Sequence, residues 1–140
     1  MELSLSRITP EQTIEVRHRV LWPDKDPSYC VVEGDNEAWH FGALVEQQLV
    51  AVASLFINGN QARLRKFATL DELQGKGIGT RLMQFMIQHL HDNNIEMLWC
   101  DARQSASGFY QRFGLTVEGK SFLKNGRPHV RMTLTVSKKP

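Results

Sequence analysis

Short alternations of apolar and polar residues predict strands at several points of the chain, and segments with a helical spacing separate them. The first alternation, at 3–6, predicts an opening strand. A helix is predicted from Thr9, which can form a capping box with Gln12, to about Leu21. The segment 23–37 then carries prolines and aspartates without an apolar period, which indicates a loop.

Three further strands are predicted in series, at 39–45, 49–57 and 61–69. These segments are rich in β-branched and aromatic residues, as strands typically are. Asn58-Gly59-Asn60 joins the last two and predicts a type I′ hairpin turn, in which both central residues have positive φ. A second hairpin is predicted near the C-terminus, with strands at 115–122 and 128–136 and a turn at Lys124-Asn125-Gly126-Arg127.

The middle of the chain shows a helical period, with Leu82, Met86 and Leu90 on one stripe of a helix predicted over 80–92. A short apolar run at 95–100 predicts a buried strand, and a further helix is predicted over 104–113. The resulting order is β-α-β-β-β-α-β-α-β-β. This order predicts an α/β (α+β) fold with a mixed, mostly antiparallel sheet flanked by helices and one parallel crossover near 70–95.

The composition of the chain excludes several classes of protein. The 140 residues are 41% hydrophobic and 23% charged, which excludes disordered and fibrous classes and suits one domain over 1–140. No apolar run approaches the roughly 20 residues that span a bilayer, and no leader precedes the first strand, so a cytoplasmic protein without a membrane partner is expected. Two distant cysteines, Cys30 and Cys100, predict free thiols, and no metal site is expected because no ligands occur at metal spacing.

A glycine-rich segment between a strand and a helix is the most informative feature for function. Gly75, Gly77 and Gly79 occupy alternate positions there, with Lys76 and Arg81 beside them. Glycine allows backbone N–H groups to turn toward an anion, and the start of a helix adds its own N–H groups and positive dipole end. A Walker A loop does not fit these residues, and a GxGxxG dinucleotide motif fails because position 80 is Thr. A different phosphate-bearing ligand is therefore expected.

The segment fits the coenzyme A loop of the GNAT N-acetyltransferase superfamily, [QR]-x-x-G-x-[GA], at Gln74, Gly77 and Gly79. The later run from Ala106 to Leu115, ASGFYQRFGL, resembles the A-x-x-F-Y-x-x-x-G-F element of the same superfamily. The order of strands and helices is also similar over nearly the whole chain. The resemblance implies acetyl-CoA as cosubstrate and transfer of its acetyl group, by direct attack, to a primary amine of a small molecule or peptide.

The resemblance also implies roles for individual residues. The pantetheine arm would receive backbone hydrogen bonds from Phe67, Ala68 and Thr69. The loop would hold the pyrophosphate with Gln74, Gly75, Lys76, Gly77, Ile78, Gly79 and Thr80. Tyr110 would be the general acid that protonates the departing thiolate. Two positions depart from the pattern: Arg103 stands where many members have an Asn that contacts the arm, and Leu115 replaces the last aromatic residue.

The base that deprotonates the amine is not evident in the sequence. His129 follows Pro128, a pair found in some related acetyltransferases, and Asp101 ends the buried strand, where ligands gather in open α/β sheets. Both are candidates. An acidic run of Glu33, Asp35 and Glu37 is interpreted as a solvated loop, with a role in binding a cationic acceptor as the alternative.

Two other functions stay open at this point. A coenzyme A-binding sensor without catalysis would use the same loop. A nucleic-acid-binding module has weak support from four basic residues, Arg63, Arg65, Lys66 and Lys76, but a net charge of +2 does not indicate a nucleic-acid partner. A homodimer is compatible with the sequence.

Overall fold

The structure is a computed structural model that describes residues 2–136, so the ends of the predicted 1–140 domain lie outside the described residues. Its strands are β1 (Leu3–Ile8), β2 (Trp39–Val45), β3 (Gln48–Asn58), β4 (Gln61–Thr69), β5 (Met97–Arg103), β6 (Thr116–Lys124) and β7 (Arg127–Thr135). Its α-helices are α1 (Ile14–Leu21), α2 (Ile78–Asp92) and α3 (Ser107–Gln111). Short 3-10 turns lie at Glu11–Thr13, Pro27–Cys30, Asp71–Leu73 and Gln104–Ala106. The predicted order of strands and helices is confirmed.

The seven strands have the hydrogen-bonding order β1-β2-β3-β4-β5-β7-β6. The β4–β5 pair is parallel, whereas β1–β2, β2–β3, β5–β7 and β6–β7 are antiparallel. The predicted mixed, mostly antiparallel sheet is therefore confirmed. The chain divides into two compact units, one of Met1–Ile57 with Leu64–Met86 and the other of Asn58–Arg63 with Ile87–Pro140.

In the first unit, strands β1, β2 and β3 are an antiparallel part of the sheet, and β2 packs against α2. Phe41 of β2 is fully buried and meets Phe85 of α2 edge-on, with ring centroids 6.0 Å apart. The N-terminal helical segment begins with the predicted capping box. Gln12 Oε1 accepts a hydrogen bond from the Thr9 N–H at 2.8 Å, and Thr9 Oγ1 accepts one from the Gln12 N–H at 3.2 Å.

In the second unit, the beginning of β4 runs parallel to β5, and β7 lies between β5 and β6. The parallel register pairs Gln61–Arg63 with Met97–Trp99. The β5–β7 register places Asp101 opposite Arg131 and Arg103 opposite His129. Because directly opposite residues share a face of the sheet, this register brings four candidate polar side chains to one face.

Two local features of the structure differ from the prediction, a turn type and the length of a helix. The predicted type I′ turn at 58–60 is wrong, because Gly59 has φ 63° but Asn60 does not have positive φ, which is the pattern of a type II′ turn. At the second hairpin both Asn125 and Gly126 have positive φ, at 52° and 74°, as a type I′ turn requires. The helix predicted over 104–113 is shorter, because its first turn is 3-10.

Cys30 and Cys100 are both free and buried, as predicted for thiols. Within residues 2–136, no three His, Cys, Asp or Glu side chains lie together in a way that could hold a metal ion. None of the described helices is long and apolar enough to cross a membrane.

Candidate functional site

The glycine-rich loop is anchored by hydrogen bonds at its entrance. The Leu70 N–H donates to the Val50 carbonyl of β3 at 2.9 Å, which fixes the chain where β4 ends. The Gln74 amide then folds back and donates from Nε2 to the Thr69 carbonyl at 3.0 Å and to Asp71 Oδ1 at 3.1 Å. The predicted cofactor residue Gln74 thus closes the loop onto the end of β4. This contact gives the loop a defined shape before any ligand is bound.

At two of the three glycines, the backbone has a conformation that favours glycine over other residues. Gly75 has φ 75° and Gly77 has φ 82°, a region that residues with a side chain rarely adopt. A Cβ atom at either position would meet nothing within 4 Å, so the space beside the loop is open. Glycine at positive φ allows backbone N–H groups to turn toward a ligand, and the open space allows a large anion to approach the backbone closely.

Helix α2 starts directly behind these glycines. Its first backbone bond runs from the Arg81 N–H to the Gly77 carbonyl at 3.1 Å, so the N–H groups of Gly77, Ile78 and Gly79 have no partner inside the helix. The first turn contains no acidic residue, and Lys76 is exposed. The loop therefore presents backbone donors and positive potential to an anion, with buried Ile78 holding the helix in place.

Strand β4 carries an unusual residue just before the predicted pantetheine-binding segment Phe67, Ala68 and Thr69. Lys66 has φ 57°, although it is neither Gly nor Asn, and its ammonium lies 4.8 Å from the centre of the Trp22 ring. Such a conformation raises the free energy of the backbone by about 1–3 kcal/mol and is typical of functional sites. It interrupts the regular alternation of the strand next to Phe67. The sequence gives no signal for this irregularity, because nothing in the composition of β4 distinguishes Lys66.

In the second unit, Tyr110 is a half-buried residue of α3, with its ring edge-on to Phe109 at a centroid distance of 5.2 Å. Burial, and then the nearby Cys100, raise the pKa of Tyr110 well above its ordinary value. The phenol therefore stays protonated at neutral pH and can donate a hydrogen bond. Burial, and then the charge of Asp101, raise the pKa of Cys100 to about 12, which makes that thiol a poor nucleophile.

His129 has a defined tautomer. Its Nδ1 lies 2.9 Å from the Arg127 carbonyl, and since a carbonyl only accepts, Nδ1 carries the proton and donates it. In the neutral ring, Nε2 is then the basic nitrogen. The ring is largely buried and stacks on Phe122 at a centroid distance of 6.1 Å. This geometry is compatible with the predicted role of His129 at the acceptor.

Asp101 is surrounded by cations. Arg131 donates to its two carboxylate oxygens at 2.9 and 3.1 Å, and Arg63 donates at 3.4 Å. The hydrogen bonds from Arg131 lower the pKa of Asp101 against the opposing effect of burial, and the charges of Arg131, Arg63 and Lys124 lower it further. A carboxylate held in its ionised form is a weak base. These contacts favour a structural role for Asp101, and its part in catalysis stays a prediction.

The acidic run in the first unit does not act as one group. Glu33 and Glu37 are exposed, but Asp35 is buried and accepts two hydrogen bonds from the buried Arg17, at 2.8 and 3.1 Å. The interpretation of the whole run as a solvated loop is therefore wrong at Asp35. His40, close by, has both ring nitrogens in hydrogen bonds, to Ser54 Oγ at 2.7 Å and to the Asp35 carbonyl at 2.8 Å.

Known proteins resemble this chain in sequence and in fold. The family model for the acetyltransferase (GNAT) domain matches residues 11–136. The Bacillus subtilis (strain 168) protein YitI, named an uncharacterized N-acetyltransferase, is 28% identical over 129 residues, and the match covers 86% of this chain and 87% of YitI. The ribosomal-protein-S18-alanine N-acetyltransferase of Escherichia coli has a similar fold, with a TM-score of 0.82 at 17% identity, covering 99% of this chain and 97% of that one. PaiA N-acetyltransferase from Thermoplasma acidophilum, in complex with coenzyme A, has a TM-score of 0.74 at 16% identity, covering 96% of this chain and 99% of that one.

The family model that matches the chain is that of an acyltransferase domain. Because the family model covers nearly all of the described residues, the chain belongs to the GNAT acetyltransferase family. Members of this family act on amine acceptors. The resemblance inferred from Gln74, Gly77 and Gly79 is thereby confirmed at the level of the family.

Proposed function

We propose that the protein transfers the acetyl group of acetyl-CoA to a primary amine of a small molecule or peptide. The observation that carries this proposal is the loop of Gln74–Thr80, where two glycines with positive φ border an open site at the start of α2, whose first turn holds no acidic residue. The pyrophosphate of coenzyme A is an anion that such a site can bind through backbone N–H groups. The coenzyme A complex of PaiA, a protein of similar fold, supports this choice of ligand.

The proposed reaction is a direct attack. The amine nitrogen adds to the thioester carbonyl carbon, the carbonyl oxygen becomes an oxyanion stabilised by backbone donors, and the C–S bond then breaks. The acceptor loses a proton to a base, for which His129 Nε2 is the candidate, because the Arg127 carbonyl keeps the other ring nitrogen protonated. Tyr110 supplies the proton that the departing thiolate takes up, since its raised pKa keeps the phenol protonated.

Acetyl-CoA is expected to stabilise the folded protein. A ligand present at about 100 times its Kd raises the free energy of unfolding by about 2.7 kcal/mol, which is a Tm increase of several degrees in a domain of this size. Thermal denaturation with acetyl-CoA, ATP and NAD tests this, and the last two should shift Tm much less. An equal shift with all three ligands would refute the coenzyme A assignment.

Release of free coenzyme A thiol with a panel of amines then distinguishes an enzyme from a coenzyme A-binding sensor.

Replacing Gly77 by Val is expected to weaken binding of acetyl-CoA about 10- to 100-fold, because a branched side chain blocks approach to backbone donors that bind a charged group. Gly59 is a matched control, since its φ of 63° is also positive and a Cβ atom there would also meet open space. Gly59→Val should show a similar backbone strain with unchanged affinity. Titration of both folded variants with acetyl-CoA makes the comparison. Equal affinities would mean that the loop is only a connection.

A further inference from the structure

An open cavity of about 350 Å³ lies within the second unit, at the end of β5 and the start of β7. It is lined by Arg103, Gln104, Ser105, Arg127 and Pro128. A volume of this size is within the range of sites for small molecules, which begins at about 300 Å³. Apart from Pro128, every lining side chain is polar, and two of them are guanidinium groups.

The charge around this cavity is unbalanced. Among the described residues, neither Arg103 nor Arg127 forms an ion pair with a carboxylate. The nearby acid, Asp101, is already bound by Arg131 and Arg63. Lys124 lies opposite Arg127 and is close enough to lower the pKa of Asp101, so it adds a third positive charge to this end of the sheet. The two arginines at the cavity therefore present positive charge that no described carboxylate neutralises.

We propose that this cavity binds a carboxylate or phosphate group carried by the acceptor amine, which makes the substrate a small anionic amine. The inference rests on the proposed function and specifies its acceptor. A guanidinium presents N–H donors in a planar fork that matches both oxyanions, and a pair of such forks can hold one anion from two sides. Gln104 and Ser105, which also line the cavity, supply further hydrogen-bonding groups.

The register of the sheet relates this cavity to the candidate base. Arg103 is directly opposite His129 in the β5–β7 pair, and Arg127 lies two residues before His129 on β7. Opposite residues, and residues two apart on one strand, share a face of the sheet. An acceptor anchored by its anion at Arg103 and Arg127 is therefore bound on the face that carries His129. In this arrangement the arginines bind the anionic group of the acceptor, and its amine remains available to His129.

The acidic run gives weaker support to the alternative, a cationic acceptor. Asp35, its central member, is buried and bound to Arg17, which leaves only the exposed Glu33 and Glu37. The cavity that carries unneutralised positive charge therefore favours an anionic acceptor.

The test compares acceptors with and without the anionic group at equal concentrations of free amine. Glycine is paired with glycinamide, and O-phosphoethanolamine with ethanolamine, so that carboxylate and phosphate are examined separately. We expect kcat/KM to favour the anionic member of at least one pair by about 10- to 100-fold, the range for a hydrogen-bonded charged group. Arg103→Gln and Arg127→Gln should each reduce that preference, with the KM for acetyl-CoA unchanged. Arg127→Lys, which keeps the charge without the fork, should restore it in part.

Lys120→Gln is the matched control, because it removes one positive charge from an exposed residue of β6 that does not line the cavity. It should leave the preference intact. Equal kcat/KM within both pairs, or a preference that survives in Arg103→Gln and Arg127→Gln, would overturn the inference and leave the proposed function standing. A raised KM for acetyl-CoA in Arg103→Gln with unaltered amine preference would also overturn it, because Arg103 would then contact the cofactor.

A measurement without turnover separates this inference from the proposed function. Inorganic phosphate and acetate are titrated into the protein and the changes in backbone amide NMR shifts at residues 103–105 and 127–129 are followed. Saturable shifts that Arg103→Gln and Arg127→Gln abolish would support the anion site. The same result with no acetyl transfer to any amine would refute the proposed function while supporting an anion site. An absence of saturable shifts for both anions would overturn the anion site.

Discussion

Tyr110→Phe is expected to lower kcat by about 10²–10⁴-fold, the range in which general acid catalysis typically contributes. The substitution keeps the ring, so the edge-on contact with Phe109 and the packing of α3 should persist. It removes the hydroxyl, which burial and Cys100 keep protonated by raising its pKa. Affinity for acetyl-CoA should therefore remain nearly unchanged. Single-turnover kinetics measure the chemical step, and titration with acetyl-CoA measures binding.

Tyr29 is the control for this experiment, since it is the other tyrosine of the chain and the residue is 55% exposed. Tyr29→Phe should leave kcat unchanged. Because the pKa of Tyr110 is raised above its ordinary value, the acid should not be lost as pH increases from neutral to about 10. A decrease in kcat of less than about threefold in Tyr110→Phe would contradict general acid catalysis by this residue, whose expected contribution is far larger.

Features with a local cause were predictable from the sequence. The Thr9–Gln12 capping box and the Asn125-Gly126 turn each depend on residues within a few positions of one another. The positive φ of Gly75 and Gly77 follows the same rule, because only glycine adopts that conformation without strain. The type of the Gly59 turn, in contrast, was not predictable in this way. Its type depends on which residues occupy its two central positions, and Asn58-Gly59-Asn60 allows more than one choice.

Features with a distant cause could not be predicted. Arg17 and Asp35 are 18 residues apart, and their ion pair requires α1 and the loop before β2 to meet. Lys66 adopts positive φ in a strand where no residue type signals it. At the candidate site, Asp101 and His129 were predicted as candidates for the base, but the chemistry of each residue depends on its hydrogen-bond partners. Arg131 keeps Asp101 ionised, and the Arg127 carbonyl selects the tautomer of His129.

Asp35→Asn is expected to reduce the free energy of unfolding by about 3–5 kcal/mol, the usual effect of removing one partner of a buried ion pair. Arg17 has no exposed side-chain surface, and its two terminal nitrogens donate to both Asp35 oxygens, the Cys30 carbonyl and Ser54 Oγ. An asparagine keeps one acceptor but leaves the Arg17 charge without a counter-ion in the interior. Urea denaturation followed by tryptophan fluorescence measures the loss.

The pH dependence of stability provides a second measurement of the same pair. Burial alone would raise the pKa of Asp35, but hydrogen bonds from Arg17 and the Val32 N–H, with the charges of Arg17 and His40, lower it below its ordinary value. The unfolded chain therefore binds a proton at higher pH than the folded one does. The stability from Asp35 is fully present above the unfolded pKa of about 3.9, and it is lost as pH falls through the lower folded pKa. Asp35→Asn should lack this part of the acid sensitivity.

Glu33→Gln and Glu37→Gln are the controls for Asp35→Asn, since both residues belong to the same acidic run and are exposed. Neither should change the free energy of unfolding measurably, because exposed carboxylates lose little solvation on folding. The double variant Arg17→Met with Asp35→Leu removes both charges, and it should recover much of the stability lost in Asp35→Asn. A loss below about 1 kcal/mol in Asp35→Asn would contradict a buried charge on Arg17, because an uncompensated charge in the interior is far less favourable than that.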